Sequence, residues 1–527
     1  MKPVGVLVVG AGPAGLAAAI RAKRALAAAA SEAAVVVVDK APKAGYHSLS
    51  GALLEPACLD GLVPGWREEK SFFVEHLDPI ERDGMFFLTP RRALPIPQPL
   101  VPKPMHHGGN VSISMAHFVE FLSRRAEKLG VEIYYGYSIS GLIVEEGKVA
   151  GCRLAEAGRN KDGEPKPNYL PPEEIRAPVT VIADGSRGIL STEYRELFGG
   201  GPNPQVYSIG LKAVYRFPKE SPFGRGRSVH TLGFPAPRNV FGGGFIYSMG
   251  ESQTAVGLIL GLDWPCGDLN PYAAFEAFKS HPRVAAWLEG GVAVATGART
   301  IPEGGYYALA RLHAPGALVA GDAAGFVNME KIKGIHYAVL TGGAAGETAA
   351  AAVLEKDFSE ERLAAYAARL DALGLTAEFK RAKNYRQVFQ WGLYLGAPLS
   401  MVQRLIPFRI PIRPDADSLR RKRHMQIKLA DGLDQAAFVG LSGTRHREDE
   451  PSHVKILDAA VCEECERNYF CACAHFCPGQ VYRRSADRIV ISPSNCLHCG
   501  TCADKCPFRN IRWQAPEGGE GPRFRQM

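Results

Sequence analysis

The N-terminal forty residues alternate between apolar runs and a helix-forming segment. Residues 4–9 and 35–38 are continuous apolar runs, and an alanine-rich segment at about 16–30 separates them. Runs that are apolar on both faces are typical of buried parallel strands. The pattern therefore predicts a strand, a helix and a second strand that ends at Asp39, which is the order of a βαβ unit.

The middle of the chain predicts a mixed body of helices and strands. Residues 114–129 have the spacing of an amphipathic helix and precede a strand pattern at 131–135. Residues 205–260 are rich in strand patterns with a glycine turn at 242–244, and residues 359–384 have helical character. The predicted fold class is α/β, or α+β over the whole chain.

Residues 388–412 form an apolar stretch that glycine and proline interrupt. Basic residues lie in it and shortly after it, namely Arg404, Arg409, Arg413, Arg420, Arg421, Lys422 and Arg423. An apolar surface beside basic residues is typical of a protein that lies on one face of an anionic membrane. A buried core helix with a solvated basic face fits the same composition, so the pattern alone leaves both open.

The overall composition narrows these alternatives only slightly. We find no run of about 18 apolar residues and therefore predict no spanning helix. The N-terminus lacks the features of a signal peptide, which predicts a chain that starts near Met1 and stays in the cytoplasm. The 527 residues suffice for two or three domains. The net charge of +8 suits an anionic partner or membrane face, and we expect no nucleic-acid partner.

A glycine-rich turn connects the first predicted strand to its helix. The sequence Gly10-Ala11-Gly12-Pro13-Ala14-Gly15 matches G-x-G-x-x-G, and Asp39 ends the second strand. Gly10 permits the tight turn, Gly12 lets the backbone approach a pyrophosphate, and Gly15 allows close packing of helix on strand. The helix N-terminus attracts phosphates, and Asp39 can accept hydrogen bonds from ribose hydroxyls. The unit therefore predicts a dinucleotide site.

Two later segments favour FAD over NAD. An apolar run at 317–320 leads into Gly321 and Asp322, which resembles the second FAD fingerprint of flavoproteins with two dinucleotide-binding domains. Another strand pattern, at 179–182, leads to Asp184 and resembles an element of hydroxylase- and reductase-type flavoproteins. NAD enzymes do not need the Gly321 segment.

The cysteines concentrate near the C-terminus. Cys496, Cys499 and Cys502 are followed by Cys506 and a proline, which is the spacing of bacterial ferredoxins and predicts a [4Fe–4S] cluster, with structural zinc as the alternative. The ending Cys473-x3-Cys477-Pro repeats Cys502-x3-Cys506-Pro. By this symmetry Cys477 is the expected fourth ligand of the first cluster.

The same symmetry predicts the ligands of a possible second cluster. They are Cys462, Cys465, Cys473 and Cys506. The spacing from Cys465 to Cys473 is longer than usual, and Cys471 competes with Cys473. A remnant with free thiols is the alternative. Cys58, Cys152 and Cys266 stand alone and are expected to be small buried residues.

Over nearly its whole length the chain resembles the electron-transfer flavoprotein:ubiquinone oxidoreductase family. The residues that carry the resemblance are 10–16, 47–53, 161–166, 297–299, 303–305, 325–334, 441–444, His446, 451–453, 477–482, 495–499 and 516–519. The resemblance implies an enzyme that takes electrons from electron-transfer flavoprotein and passes them through [4Fe–4S] and FAD to a membrane quinone. It also implies that Gly242 and Gly243 lie against the quinone and that 53–66 and 388–412 contact lipid.

From the motifs and the resemblance together we expect a set of FAD contacts: Gly10, Gly12, Pro13, Ala14, Gly15, Asp39, Lys40, Ser50, Gly51, Asp184, Gly321, Asp322 and Gly334. No side chain is expected to act as a nucleophile or as an acid–base catalyst. His336 and Tyr247 could assist proton delivery but are favoured as structural residues.

The expected domains are an FAD-binding part at 1–100 with its continuation at 101–190, a β-rich quinone domain at 191–300, a second FAD part at 301–385, a membrane-contact and connecting region at 386–455, and a ferredoxin-like domain at 456–527.

Two departures from the family pattern bear on the partner and the cluster count. Mitochondrial-type members lack a full second cysteine set, whereas this chain has one, and Asp322 follows the general flavoprotein rule more closely. We expect a bacterial or archaeal-type member on the cytoplasmic face of the cell membrane. The alternatives are a ferredoxin-fused reductase of a small apolar, prenyl-type substrate and a carrier subunit of a larger flavin-based complex.

Overall fold

The apolar runs at the N-terminus pair side by side in a six-stranded sheet of the computed structural model, which describes residues 4–51, 53–425, 434–485 and 488–527. Met1 and Ala52 lie outside the described residues. The strand order is His313–Ala314, Ala317–Val319, Val179–Ile182, Val4–Val9, Ala34–Asp39 and Glu132–Tyr135. All neighbours run parallel except the first pair. The predicted βαβ unit is confirmed.

Two long helices pack together against this sheet. Pro13–Ala28 follows the glycine turn, and Ile335–Glu355 crosses it closely. A Cβ atom on Gly342 would lie 2.0 Å from the carbonyl oxygen of Ala14, and one on Gly346 would lie 2.0 Å from that of Ala18. Glycine is therefore required at both crossing points, because any side chain would push the helices apart.

A seven-stranded sheet forms the second large layer. Its order is Val292–Pro302, Tyr207–Arg216, Gln253–Gly261, Gly242–Ser248, Arg227–Gly233, Arg82–Leu88 and Ala93–Pro95. The helix Pro271–Lys279 packs on it, with Pro282–Leu288 beside that helix. The sheet takes in residues 82–95, which the expected boundaries place in the first FAD part, and the strand 292–302 crosses the expected boundary at 300.

The cysteine-rich tail is built from short elements. Val454–Ile456 pairs with Ile511–Trp513, and Tyr482–Ser485 pairs with Arg488–Ile491. The helices Ala459–Tyr469 and Ala472–Phe476 lie in sequence between Val454–Ile456 and Tyr482–Ser485. The helix Thr501–Lys505 lies between Arg488–Ile491 and Ile511–Trp513.

The remaining elements connect these layers. Strands occur at Leu53–Leu54, Asp78–Pro79, Val111–Ser112, Ile139–Glu145, Lys148–Leu154, Ala157–Arg159, Pro165–Leu170 and Glu174–Arg176. Helices occur at Cys58–Leu62, Phe72–Glu75, Met115–Lys128, Ile189–Phe198, Glu360–Leu363, Ala365–Ala372, Leu375–Arg381, Leu393–Val402 and Gln435–Leu441. Short 3₁₀ turns occur at Trp66–Glu68, Gln98–Leu100, Lys103–Met105, Tyr306–Ala308, Gly321–Ala323, Gln387–Trp391, Gln403–Leu405, Asp415–Ser418 and Pro493–Asn495.

The two segments expected to contact lipid differ in exposure. Tyr394 is 66% exposed, Leu405 74% and Phe408 65%, and all three lie in or beside the helix Leu393–Val402 and the turn that follows it. By contrast, the large apolar side chains of 53–66 fill the core next to the six-stranded sheet. The expectation for 53–66 is therefore wrong, because burial in the protein leaves these side chains unavailable to lipid.

Within the described part of the chain, no helix has both the length and the apolarity needed to cross a bilayer.

Candidate functional site

A cavity of about 310 Å³ is lined by both large sheets and by the cysteine-rich tail. Its walls contain most of the residues expected to contact FAD: Gly10, Gly12, Pro13, Ala14, Asp39, Lys40, Ser50, Gly51, Asp184, Asp322 and Gly334. Gly15 and Gly321 are not among the lining residues. Among these expected contacts, the structure brings into one cavity residues as far apart in sequence as Gly10 and Gly334.

The three glycines of the N-terminal motif do different work. A Cβ on Gly10, whose φ is +103°, would lie 2.3 Å from the carbonyl oxygen of Ala183, and one on Gly15 would lie 1.8 Å from that of Gly10. These two positions are closed by protein backbone. Gly12 instead faces open space at the N-terminus of the helix Pro13–Ala28. The position fits the close approach of a pyrophosphate to the helix.

Replacing Gly12 by alanine should remove flavin and leave the fold intact. Its φ of −81° and ψ of −176° suit alanine, and the added Cβ would meet no described atom within 4 Å beyond its own chain neighbours. The methyl group would fill the phosphate space, so we expect FAD affinity to fall about 10- to 100-fold, the equivalent of one or two charge-assisted hydrogen bonds. Flavin absorbance after gel filtration measures the loss.

Gly440→Ala is the matched control, because Gly440 also faces open space but lies outside this cavity. It should keep wild-type flavin content, and both variants should keep wild-type circular dichroism. Full flavin occupancy in Gly12→Ala would show that the pyrophosphate binds elsewhere.

Asp39 and Asp184, which lie at or just after the ends of two strands of the six-stranded sheet, accept hydrogen bonds from backbone amides around the cavity. Asp39 accepts hydrogen bonds from the amides of Ala11 and Ala41, each at 2.7 Å. Asp184 accepts from the amides of Leu190 and Ser191 at 2.8 and 3.2 Å. Its other carboxylate oxygen is buried and has no hydrogen-bond partner among the described residues. That oxygen is free to accept a donor from a bound ligand.

Buried charges of both signs face the cavity. Burial lowers the pKa of Lys212 to about 7, and burial together with the charge of Arg299 lowers the pKa of Lys40 to about 8. Burial raises the pKa of Asp322 to about 6, although Arg299 acts in the opposite direction. Cations in a water-poor site interact strongly with anionic ligand groups. The open glycine, the helix N-terminus and these cations fit a dinucleotide cofactor.

Lys212 was missed at the level of sequence. It lies in the strand Tyr207–Arg216, is 1% exposed, and donates a hydrogen bond to the backbone oxygen of Ser50 at 2.9 Å. The sequence signal for this residue is a lysine within the mainly apolar segment 209–214. A buried cation needs a partner or a ligand to offset its desolvation, so such a lysine indicates a binding site.

The four cysteines of the predicted first cluster line one cavity. Cys477, Cys496, Cys499 and Cys502 surround it together with Tyr482 and other apolar side chains. The amide of Val481 points to the Cys477 sulfur at 3.4 Å. Four cysteines around one mainly apolar cavity, three of them buried and Cys499 partly buried, fit a [4Fe–4S] cluster. Cys499 and Trp513 line this cavity and the large cavity as well, so the two sites share a wall.

The remaining predicted cysteines are also brought together. Cys462, Cys465, Cys473 and Cys506 line a separate cavity in the tail, whereas Cys471 is not among its lining residues. Cys58, Cys152 and Cys266 are buried and distant in sequence from both sets, as expected.

Gly242 and Gly243 do not line the large cavity, although Phe245 and Tyr247 of the same strand do. A Cβ on Gly242 would lie 2.2 Å from the oxygen of Ile259, and one on Gly243 would lie 2.2 Å from that of Thr231. The structure therefore uses both glycines to bring neighbouring strands close. Their contact with a quinone stays a prediction.

Of the two residues considered for proton delivery, Tyr247 has a close polar partner, whereas His336 has no hydrogen-bond partner among the described residues. The Tyr247 hydroxyl lies 2.5 Å from His230 Nε2, and Tyr247 faces the large cavity. His336 is buried with its Nε2 3.7 Å from a Glu55 carboxylate oxygen and is not among the residues that line the cavity. Burial lowers the pKa of His336 to about 4, so it is neutral at pH 7.

Comparison with known proteins identifies relatives that match this chain over 99% of its length. A family model described as "ETF-QO, ubiquinone-binding" matches residues 207–301, and one described as "Electron transfer flavoprotein-ubiquinone oxidoreductase, 4Fe-4S" matches residues 431–525. Mitochondrial electron transfer flavoprotein-ubiquinone oxidoreductases are similar, from Oryza sativa at 34% identity (99% of this chain, 92% of the relative) and from Mus musculus at 34% (99% and 89%).

Solved structures are similar in fold alone. A geranylgeranyl bacteriochlorophyll reductase-like protein from Thermoplasma acidophilum superimposes with a TM-score of 0.55 at 17% identity, covering 77% of this chain and 98% of that one. The flavin-dependent brominase Bmp2 gives 0.51 at 15% identity, covering 77% and 92%. Both comparisons concern the flavoprotein fold.

Proposed function

Since the chain belongs to the electron transfer flavoprotein–ubiquinone oxidoreductase family, we propose that it oxidises reduced electron-transfer flavoprotein and reduces a quinone, with FAD and a [4Fe–4S] cluster as its cofactors. The observation that carries this function is the 34% identity to such an enzyme over 99% of the chain. The expected family resemblance, fold class and cofactors are confirmed.

The reaction balances in electrons and protons. Reduction of one quinone to the quinol takes two electrons and two protons, and two one-electron oxidations of the donor flavoprotein supply the electrons. FAD, when bound, can hold one or two electrons, so it can link the one-electron oxidations of the donor to the two-electron reduction of the quinone. The protein's own contribution is position, because the wall formed by Cys499 and Trp513 is common to the cysteine cavity and the large cavity.

An apolar cluster connects the large cavity to the protein surface and suits a route for quinone. Val327 and Met329 belong to this cluster and also line the cavity. Phe389 also belongs to the cluster, and Leu393, which packs against it, begins the helix with exposed apolar side chains. We place the quinone between this helix and the cavity, close to Phe241, whose ring centroid lies 5.0 Å from that of Phe389.

The exposed helix and the turn after it support a lipid contact, which we propose to be on the cytoplasmic face of the cell membrane. Large apolar side chains in water cost about 1.5–3 kcal/mol each relative to an apolar surrounding. Arg404 is exposed between Tyr394 and Phe408 in sequence and suits anionic headgroups.

Replacing Tyr394, Leu405 and Phe408 together by serine should reduce binding to vesicles of mixed zwitterionic and anionic lipid by at least about tenfold, because three side chains lose their apolar transfer free energy. Co-sedimentation with vesicles measures it. The matched control replaces three other exposed apolar residues by serine, Leu170, Leu197 and Val292, which lie outside this helix and turn. Equal loss in the control would contradict a localised lipid contact.

The function is tested with the anaerobically purified protein. Reduced electron-transfer flavoprotein and a soluble quinone analogue are added, and quinol formation is followed. Quinol formed at one equivalent per two electrons supports the proposal. Intact cofactors without quinone reduction would favour a carrier subunit, and reduction of a prenyl-type substrate in place of quinone would favour the reductase alternative.

A further inference from the structure

The tail contains two copies of one cysteine–proline structure. The helices Ala472–Phe476 and Thr501–Lys505 each carry a cysteine at the second position and end directly before a Cys-Pro pair. In both copies the amide four residues after the second cysteine points to its sulfur, at 3.4 Å for Cys477 and 3.3 Å for Cys506. Cys506 is therefore held as a ligand is held, in the same way as Cys477.

The same repeat separates Cys473 from Cys471. Cys473 is equivalent to Cys502, which lines the first cysteine cavity. Cys471 is equivalent to Gly500, and both have a positive φ, +55° and +85°. Cys471 thus occupies the turn before its helix, where the copy around Thr501–Lys505 has glycine, and it is not among the residues that line the second cavity. The lining of the second cavity favours Cys473 as the ligand, with the Cys471 thiol within hydrogen-bonding reach of the Cys473 sulfur.

The other two sulfurs come from one face of a helix. Cys462 and Cys465 lie three residues apart in Ala459–Tyr469, a spacing that brings side chains to the same side. Asn510 Nδ2 lies 3.5 Å from the Cys462 sulfur and also donates to the backbone oxygen of Asp458 at 2.6 Å. Asn510, four residues after Cys506, therefore holds the start of the helix that carries Cys462.

We propose that Cys462, Cys465, Cys473 and Cys506 bind a second [4Fe–4S] cluster in this protein. The four line one cavity, whose other walls are apolar apart from Asn510. Cys506 follows the Cys496-x2-Cys499-x2-Cys502 motif, and in the two-cluster arrangement the fourth cysteine of a motif serves the other cluster. The structure shows this exchange. Cys473 lines the second cavity while Cys477, four residues later, lines the first. Cys502 lines the first cavity while Cys506, four residues later, lines the second.

The second site lies farther from the flavin cavity than the first. The two cysteine cavities share Phe476 as a lining residue, and only the first shares residues with the large cavity. Cys462 is partly exposed, as is Cys499 of the first set. By their shared lining residues, the order of the sites is the large cavity, the first cysteine cavity and then the proposed cluster. Its presence does not depend on the identity of the electron acceptor.

The experiment is metal analysis and EPR of the full-length protein purified anaerobically. We expect about eight irons and eight acid-labile sulfides per FAD, and a reduced spectrum broadened by coupling between two neighbouring clusters. About four irons per FAD, or zinc in place of the additional iron, would overturn the proposal. Because neither readout uses quinone, failure here is distinguishable from failure of the proposed function.

Variants assign the additional irons to this cavity. Cys473→Ala should lower the iron content from about eight to about four per FAD and remove the coupling, with FAD retained. Its matched control, Cys471→Ala, is two residues away and should keep all irons. Loss of iron in the control together with retention in Cys473→Ala would contradict the ligand set. If Cys473→Ala does not fold, the wild-type iron count still decides the proposal.

Discussion

Replacing Cys502 by alanine should abolish the first cluster and nearly all electron transfer from electron-transfer flavoprotein to quinone. Cys502 lines the first cysteine cavity and is buried, and its sulfur lies outside the large cavity. With three of four ligands left, we expect the loss of about four irons per FAD and a fall in activity of at least about 100-fold, equivalent to about 2.7 kcal/mol in activation free energy. Flavin content should stay at the wild-type level.

The control for this prediction is Cys266→Ala. Cys266 is buried but belongs to neither cysteine cavity. Its iron content, EPR spectrum and activity should equal those of the wild type. An iron content and an EPR spectrum equal to those of the wild type in Cys502→Ala would show that this cysteine is not a ligand. Direct chemical reduction of the flavin in the variant separates loss of the cluster from damage to the FAD site.

Replacing Arg386 by methionine should produce the largest loss of stability outside the cofactor ligands. Arg386 is 1% exposed, and its guanidinium lies 2.9 Å from a Glu303 carboxylate oxygen and 2.8 Å from one of Asp263. It also covers the Phe241 ring at 4.3 Å. Without Arg386 the fully buried Glu303 carboxylate has lost its cation, which costs about 3–5 kcal/mol when one partner of a buried pair is removed.

Chemical denaturation followed by tryptophan fluorescence measures this loss. Arg369→Met is the matched control, because the Arg369 and Glu347 pair has a similar distance of 2.9 Å but lies partly exposed. Exposed pairs contribute about 0–1 kcal/mol, so the control should unfold close to the wild type. Equal stability of the two variants would mean that Glu303 is neutral in the folded protein, since burial already raises the pKa of Glu303.

The parts of the molecule that the sequence predicted are those in which chemistry and local structure coincide. The strand Val4–Val9, the glycine turn and the helix after it are contiguous, so their apolar pattern and glycine spacing suffice to place them. The repeat of Cys-x3-Cys-Pro predicted which cysteines the structure brings together, because ligand spacing encodes the turn that wraps a cluster.

Features that depend on distant contacts were not available from the sequence. Residues 82–95 join the seven-stranded sheet through pairing with Arg227–Gly233, about 145 positions along the chain, and no local pattern specifies that partner. The segment 53–66 is as apolar as an exposed lipid contact would be, and only tertiary packing shows that it is core. Lys212 could be noticed but not interpreted until its strand was seen to face the cavity.

The shared wall of the flavin cavity has a consequence for how the holoprotein is made. His498, Cys499, Trp513 and Ala515 close a cavity whose other lining residues all precede residue 339. During synthesis these four emerge after every other part of that wall. A nascent chain can therefore fold its glycine turn early, yet it cannot complete the wall of the flavin cavity until the tail has docked. Stable flavin binding is therefore expected only after the tail has been synthesised, and a chain truncated before residue 496 should not retain flavin.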